Sequence, residues 1–187
     1  MPTTMIWDEM NAFRSIVEQT GAAGSKSEEK RKETEDILED ILIMAYIFGV
    51  QDTSDALGVP IEPNTDLMMS AVYKKVADKD FRQRVSEYVT DGTVEDIQRV
   101  AETDATRIYN TAVMDAGKQS GVPGLRKRWE TMLDNRVRDT HEYLQSMVVG
   151  LDEDFYTYDG DHAPYPGGFE MAENNCGCRC FITLSRD

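Results

Sequence analysis

The stretch TVEDIQRVAETDATRIYNTAVMDAGKQSG, residues 93–121, decides the fold. Thr93 with Asp96 three residues on resembles a capping box, and it opens the longest clean helical pattern in the chain, ending near Gly121. Its stripe Ile97, Ala101, Ala105, Ile108 and Ala112 is apolar and small, which allows close approach of a neighbouring element. Thr103, Arg107 and Asn110 line an adjacent polar face, where their side chains can converge on one acceptor or turn. A structural role is expected, with a buried Arg107 holding backbone carbonyls of the C-terminal region through its planar fork. A catalytic role would require a nucleophile or pocket that the sequence does not locate.

Upstream of this helix the chain reads as helical. Met5 to Gln19 carries Ile6, Trp7, Met10, Phe13, Ile16 and Val17 at helical spacing, and Gly21 to Ser25 is a flexible break. One long helix is expected from Ser27 to Phe48, solvated at its charged front and buried at its apolar end, Ile41 to Phe48. That apolar run is far short of the roughly 20 residues that span a bilayer. Gln51 to Asn64, with Gly58, Pro60 and Pro63, reads as a connector. Asn64 or Thr65 caps a helix reaching Val76, and Asp80 caps another with Phe81, Val85 and Val89 on its inner face.

Downstream of Gly121-Val122-Pro123-Gly124 long helical periodicity disappears and strands are expected. Trp129, Thr131 and Leu133 alternate with polar or flexible neighbours, Asp134 to Leu144 makes a turn and short helix, and Met147 to Val149 is a second strand. Cys178, Cys180, Ile182 and Leu184 alternate along a final strand that pairs back onto these. The fold class is therefore α+β: a helical N-terminal region, 1–90, then a domain, 91–187, built of a long central helix and a small antiparallel β-rich module.

Composition limits the functional classes. In 187 residues, 20 Lys and Arg face 35 Asp and Glu, a formal net charge of −15. Such a surface repels phosphate backbones and anionic membranes at long range. The local cluster Arg126, Lys127, Arg128, Arg136 and Arg138 opposes that trend within a Debye length of about 8 Å. Contact with DNA or an acidic partner is open there, and salt bridges to the chain's own carboxylates are the simpler use. The first ten residues carry acids where an export signal has bases, so cytosolic synthesis is expected.

The soft metal ligands gather late in the chain. His141, His162, Cys176, Cys178 and Cys180 are all the histidines and cysteines it has. An odd, bunched set of thiols is a poor disulfide framework, and zinc requires four such groups in a tetrahedron. Cysteines at i and i+2 of a flat strand stand too far apart for that, so Gly177 would have to bend the backbone between Cys176 and Cys178. A structural zinc held by His141 and two of the three thiols is one reading; half-buried cysteines acting as small hydrophobes is the other. A nucleophile pair of one cysteine with His141 or His162 lacks an identifiable orienting group. No P-loop, Gly-x-Gly-x-x-Gly, His-Glu-x-x-His or Gly-x-Ser-x-Gly motif occurs.

Ala101-Glu102-Thr103 and Arg107 to Ala112, then Arg128-Trp129-Glu130-Thr131, Asp134 to His141, Tyr165-Pro166-Gly167 and Asn175 to Cys180 follow one another in an order and spacing that resembles the phage Mu F-like minor head, or head-morphogenesis, family. The resemblance covers Thr93 to Leu184. It implies a phage or prophage minor head protein, present in few copies inside the virion near the portal, acting in capsid assembly or genome delivery. Its partners would be portal and capsid or scaffold proteins, with no membrane, and with any DNA contact through Arg126, Lys127 and Arg128 secondary. Trp129, Asp134, Arg136 and Arg138 then join Thr103, Arg107 and Asn110 as a structural polar network. Many such proteins carry a Cys-x-x-Cys pair, a His and a final Cys-Arg-Cys, an arrangement that resembles a zinc site. Here Arg138 and His141 stand in place of the pair, Asn175 stands near the usual His, and Cys176 is extra. The ligand set left is His141, Cys176, Cys178 and Cys180. Without metal, Arg138 and His141 hold the turn to the final strand by hydrogen bonds or salt bridges. The alternative function is an enzymatic or toxin domain of nuclease or transferase type, with Arg107, Asn110, His141 and a cysteine at its active site.

Overall fold

The computed structural model describes the backbone of residues 3–186 and the side chains of residues 7–186, so the expected inward face of Ile6 lies outside it. Five helices come first: α1 (Thr3–Thr20), α2 (Glu28–Leu57), α3 (Thr65–Val72), α4 (Phe81–Asp91) and α5 (Val94–Gln119). Then follow β1 (Leu125–Glu130), α6 (Asp139–Glu142), β2 (Val148–Gly150), β3 (Phe155–Tyr156), β4 (His162–Ala163), α7 (Ala172–Asn175) and β5 (Phe181–Arg186). The class is α+β, as the sequence implies.

Capping chemistry sets most helix ends. Ser27 accepts from Lys30 N, Asn64 from Leu67 N, and reciprocal capping boxes join Asp80 to Gln83 and Thr93 to Asp96. Two ends differ from expectation. Helix α2 runs nine residues past Phe48, because the signal that stops it is Gly58, left-handed at φ 63°, with the Gly58 and Val59 amides donating to the Asp55 and Ser54 carbonyls. Helix α3 stops at Val72, short of Val76, where the chain enters a tight turn with Ala77 and Asp78 at positive φ and Val76 bridged to Lys79.

Helix α2 lies along the small-residue stripe of α5. A Cβ on Gly49 would come within 2.5 Å of the Tyr109 carbonyl oxygen and 2.8 Å of Ala112 Cβ, so the two backbones meet there. Hydroxyl donations flank the contact: Tyr46 to Asp115 at 2.9 Å and Tyr109 to Asp52 at 2.7 Å. Burial and these bonds push both phenols up, and burial raises both carboxylates. Met10, Phe13 and Val17 of α1 are buried inside this bundle, while Ile16 turns toward solvent. The apolar core continues from Met10 through to Leu184, across residues 90 and 91.

The sheet is antiparallel in the order β2-β1-β5, with Trp129 opposite Ile182 and Arg128 opposite both Thr183 and Val148. Strand β1 begins at Leu125 and ends at Glu130; the expected extension to Leu133 fails, since Leu133 sits at φ 54° and is exposed. The true inward alternation is Leu125, Lys127, Trp129, and the lysine in the middle of it hides the strand from a hydrophobic pattern. The last strand starts at Phe181, which leaves Cys178 and Cys180 in irregular backbone. The hairpin β3–β4 and the single turn α7 were not anticipated.

Candidate functional site

One face of α5 serves as a dock for the returning chain. Thr103 Oγ1 accepts from Gly177 N at 2.9 Å, and Thr106 Oγ1 donates to the Cys178 carbonyl at 2.6 Å. Asn110 Nδ2 donates to the Cys180 and Pro166 carbonyls, and its Oδ1 accepts from Ile182 N at 2.9 Å. These side chains satisfy backbone groups that would otherwise be buried without partners just before β5 begins. Thr106 escaped the sequence reading; its position four residues before Asn110 was the available signal.

Arg107 corrects the expectation placed on it. Its Nη1 donates to the Ala71 carbonyl at 2.9 Å, at the end of α3, and its Nη2 pairs with Asp104 at 3.1 Å. The guanidinium therefore ties α3 to α5 and leaves the C-terminal region to its neighbours Thr103, Thr106 and Asn110. What the C-terminal region contributes is close packing: a Cβ on Gly167 would lie 2.9 Å from Arg107 Cα.

Beside this dock lies a buried sulfur and imidazole cluster. His141, from α6, places Nδ1 3.5 Å from Cys178 Sγ and 3.5 Å from Cys180 Sγ, and all three are buried. Their ligand atoms lie within 4.8 Å of one another. The ring is wedged against Trp129 at 5.3 Å and stacked on Phe169 at 5.4 Å, and Phe155 meets the indole edge-on at 5.2 Å. The hydrogen bond with Cys180, and then His141, hold the Cys178 thiol well below its usual range against the cost of burial; the Cys178 sulfur and burial push Cys180 up.

These atoms could hold a metal, as three of the four groups zinc takes. Zinc–sulfur bonds of about 2.3 Å and zinc–nitrogen bonds of about 2.0–2.1 Å at tetrahedral angles put nitrogen and sulfur about 3.5 Å apart, as found here. Irregular backbone at Cys178-Arg179-Cys180 lets both sulfurs converge, which a flat strand would not. The bend at Gly177, φ 65°, instead turns Cys176 outward to solvent, apart from the cluster. His162 is also apart, exposed and paired with Asp154 at 2.8 Å.

The remaining expected residues hold the loops around the cluster. Arg138 donates to the Asn174 and Cys176 carbonyls, Arg136 pairs with Glu102 at 3.0 Å, and Arg179 clasps Asp134 with 2.7 Å bonds to both oxygens, lowering that carboxylate's pKa. Lys127, expected at a DNA contact, is buried: its Nζ donates to the Leu151 carbonyl at 2.9 Å and lies over the Phe155 ring. Arg126 and Arg128 stand on the solvent side of the strand. A further group absent from the sequence reading is Asp161, a buried carboxylate that accepts from His162 N, Met171 N and Asn174 Nδ2.

A helical base carries a small antiparallel sheet, with the last strand docked on the central helix over a histidine and cysteine cluster, as one α+β module. Residues 65–183 match the profile of phage Mu protein F like proteins, and the chain belongs to that family. It is 31% identical over 83 residues to minor head protein GP7 of Bacillus phage SPP1, a match covering 44% of this chain and 27% of GP7. It is also 30% identical over 94 residues to the NAD(+)–arginine ADP-ribosyltransferase EFV of Enterococcus faecalis, covering 49% of this chain and 19% of EFV. The matches thus span only about a quarter and a fifth of those relatives. No solved structure matches the chain. No helix among the described residues is long and apolar enough to cross a membrane.

Proposed function

We propose that this chain is a noncatalytic minor head protein that sits inside the virion near the portal and contacts portal and capsid or scaffold proteins during assembly or genome delivery. Family membership and the similarity to GP7 support the head-protein reading. The observation that carries the noncatalytic part is the use made of the polar face of α5, where Thr106 and Asn110 are committed to backbone groups of the returning chain and Arg107 to the Ala71 carbonyl. Contact with DNA, if made, falls to Arg126 and Arg128 and is secondary to protein contacts in so acidic a chain.

In this reading His141, Cys178 and Cys180 supply three of the four ligands of a zinc, which would cross-link α6 to the segment entering β5. The departure from a full ligand set lies at Arg138, whose guanidinium ties down the Asn174 and Cys176 carbonyls in place of supplying a thiolate.

The test is composition and genetics of the particle. Purified DNA-filled heads should contain the chain in few copies, crosslinked to the portal, and deletion of its gene should yield heads that are defective or not infectious. Absence from heads refutes the reading. The similarity to EFV favours a second reading, a transferase or toxin component. Transfer of ADP-ribose from NAD(+) to arginine by the purified chain, abolished by His141→Ala in a protein that still folds, would establish it.

A further inference from the structure

Between Arg138 and Arg179 the chain runs for 40 residues with nine acidic side chains and no lysine or arginine. The hairpin β3–β4 stands in the middle of that stretch. Two-residue alternation sends Phe155 and Thr157 into the core and turns Tyr156 and Tyr158 out, each 61% and Tyr143 56% exposed. Across the hairpin His162 pairs in register with Tyr156 and stacks on its ring at 5.2 Å, while Tyr143, at the end of α6, meets the Tyr158 ring edge-on at 5.9 Å.

The result is an exposed aromatic platform with carboxylates at its margin. Asp154 pairs with His162 on the same face, Asp159 flanks Tyr158 at the hairpin turn, and Asp152 and Glu153 lead into β3. The platform is also held from behind. Asp161 ties the hairpin to Met171 and Asn174, and Phe155 is packed on Trp129, so little ordering remains to be done when a partner arrives.

We propose that this face is a docking surface for an arginine-bearing segment of another protein. Tyrosine rings attract cations over their faces, arginine more often than lysine, and the surrounding carboxylates supply the complementary field. Nucleic acid is repelled by the same carboxylates. A second copy of this chain could offer Arg128, which faces solvent on β1, so self-association is one outcome the test must separate. The inference rests on the reading of the chain as an assembly component.

The experiment titrates the full chain with a short peptide alternating glycine and arginine, its lysine counterpart, and duplex DNA, followed by NMR and calorimetry. The arginine peptide should bind more tightly than the lysine peptide, shift the tyrosine and His162 resonances, and weaken about tenfold on Tyr156→Ala with Tyr158→Ala. Both rings are exposed, so the double variant keeps its fold, as circular dichroism will verify. Asp152→Asn should weaken binding and reduce its salt dependence. Equal binding of both peptides unaffected by the tyrosine changes, occupation of this face by DNA, or self-association through it overturns the proposal. None of those results alters whether the chain is found in heads, so the two readings fail separately.

Discussion

The side-chain amide of Asn110 substitutes for a neighbouring strand: it accepts from Ile182 N at 2.9 Å and donates to the Cys180 carbonyl at 3.1 Å, fixing where β5 starts. Asn110→Ala leaves those buried groups unpaired and opens space, at a cost of about 2–4 kcal/mol. Asn110→Asp removes the donor and buries charge, and should cost at least as much. Urea unfolding followed by the fluorescence of Trp7 and Trp129 measures both; a loss under about 0.5 kcal/mol, within the range of surface changes, contradicts the docking role.

Gly167 lies at φ 87° with its Cα hydrogens against the backbone of Arg107. Alanine there meets Arg107 Cα at 2.9 Å and also adopts a backbone conformation that L residues avoid. Gly167→Ala should destabilise by about 2–4 kcal/mol and speed hydrogen exchange of the Cys178 to Ile182 amides. Unchanged exchange would place the strain elsewhere.

The zinc proposed at the cluster would set a stoichiometry. Protein purified without a histidine tag should carry close to one zinc per chain, and Cys178→Ser or Cys180→Ser should abolish it with a loss of roughly 2–4 kcal/mol. Cys176→Ser, at an exposed position, should change neither. Elemental analysis with thermal unfolding in chelator reads all three, and full folding with no metal in the unaltered chain removes zinc from the account.

Lys127 gives a dependence on pH of known sign. Burial lowers its ammonium pKa to about 8 from an ordinary 10.5, against the pull of Asp154 and Asp152. The folded chain therefore sheds this proton before the unfolded one does. Below pH 8 both states are charged and the burial cost is fully present; from pH 8 to 10.5 the cost is relieved and stability rises. Lys127→Met loses the bond to the Leu151 carbonyl but also this slope. Across that window the unaltered chain should gain about 1–3 kcal/mol relative to Lys127→Met, at about 1.4 kcal/mol per pKa unit. Parallel stability profiles would contradict the lysine's burial.

Helices were legible where local chemistry decides them. The pair Thr93 with Asp96 is written three residues apart, Asp80 stands where a cap is expected, and the small stripe on α5 announces a close neighbour. The end of α2 was misplaced because Gly49 and Gly58 look alike in sequence, although one lies in a helix contact and the other caps a terminus. Strand β1 was shifted because a buried lysine occupies an inward position, which only the Leu151 carbonyl and the Phe155 ring explain. At the cluster, residue types gave the histidine and thiols; which two sulfurs converge depends on the backbone leaving strand geometry at Cys178. Arg107 could be marked as a buried fork, but its acceptor lies 36 residues away in α3 and no spacing encodes that. The role of Asp161 rests on loop amides with no side-chain signature.

The guanidinium of Arg186 donates to the Leu57 carbonyl at the last turn of α2, joining positions 129 apart. The first long helix thus receives a partner from a strand made 129 residues later. Non-local closure of this kind slows collapse to the native state, and until it happens the inner side of α2 near Leu57 stays uncovered. Nascent chains should consequently depend on chaperones more than the helical content of residues 3–119 implies.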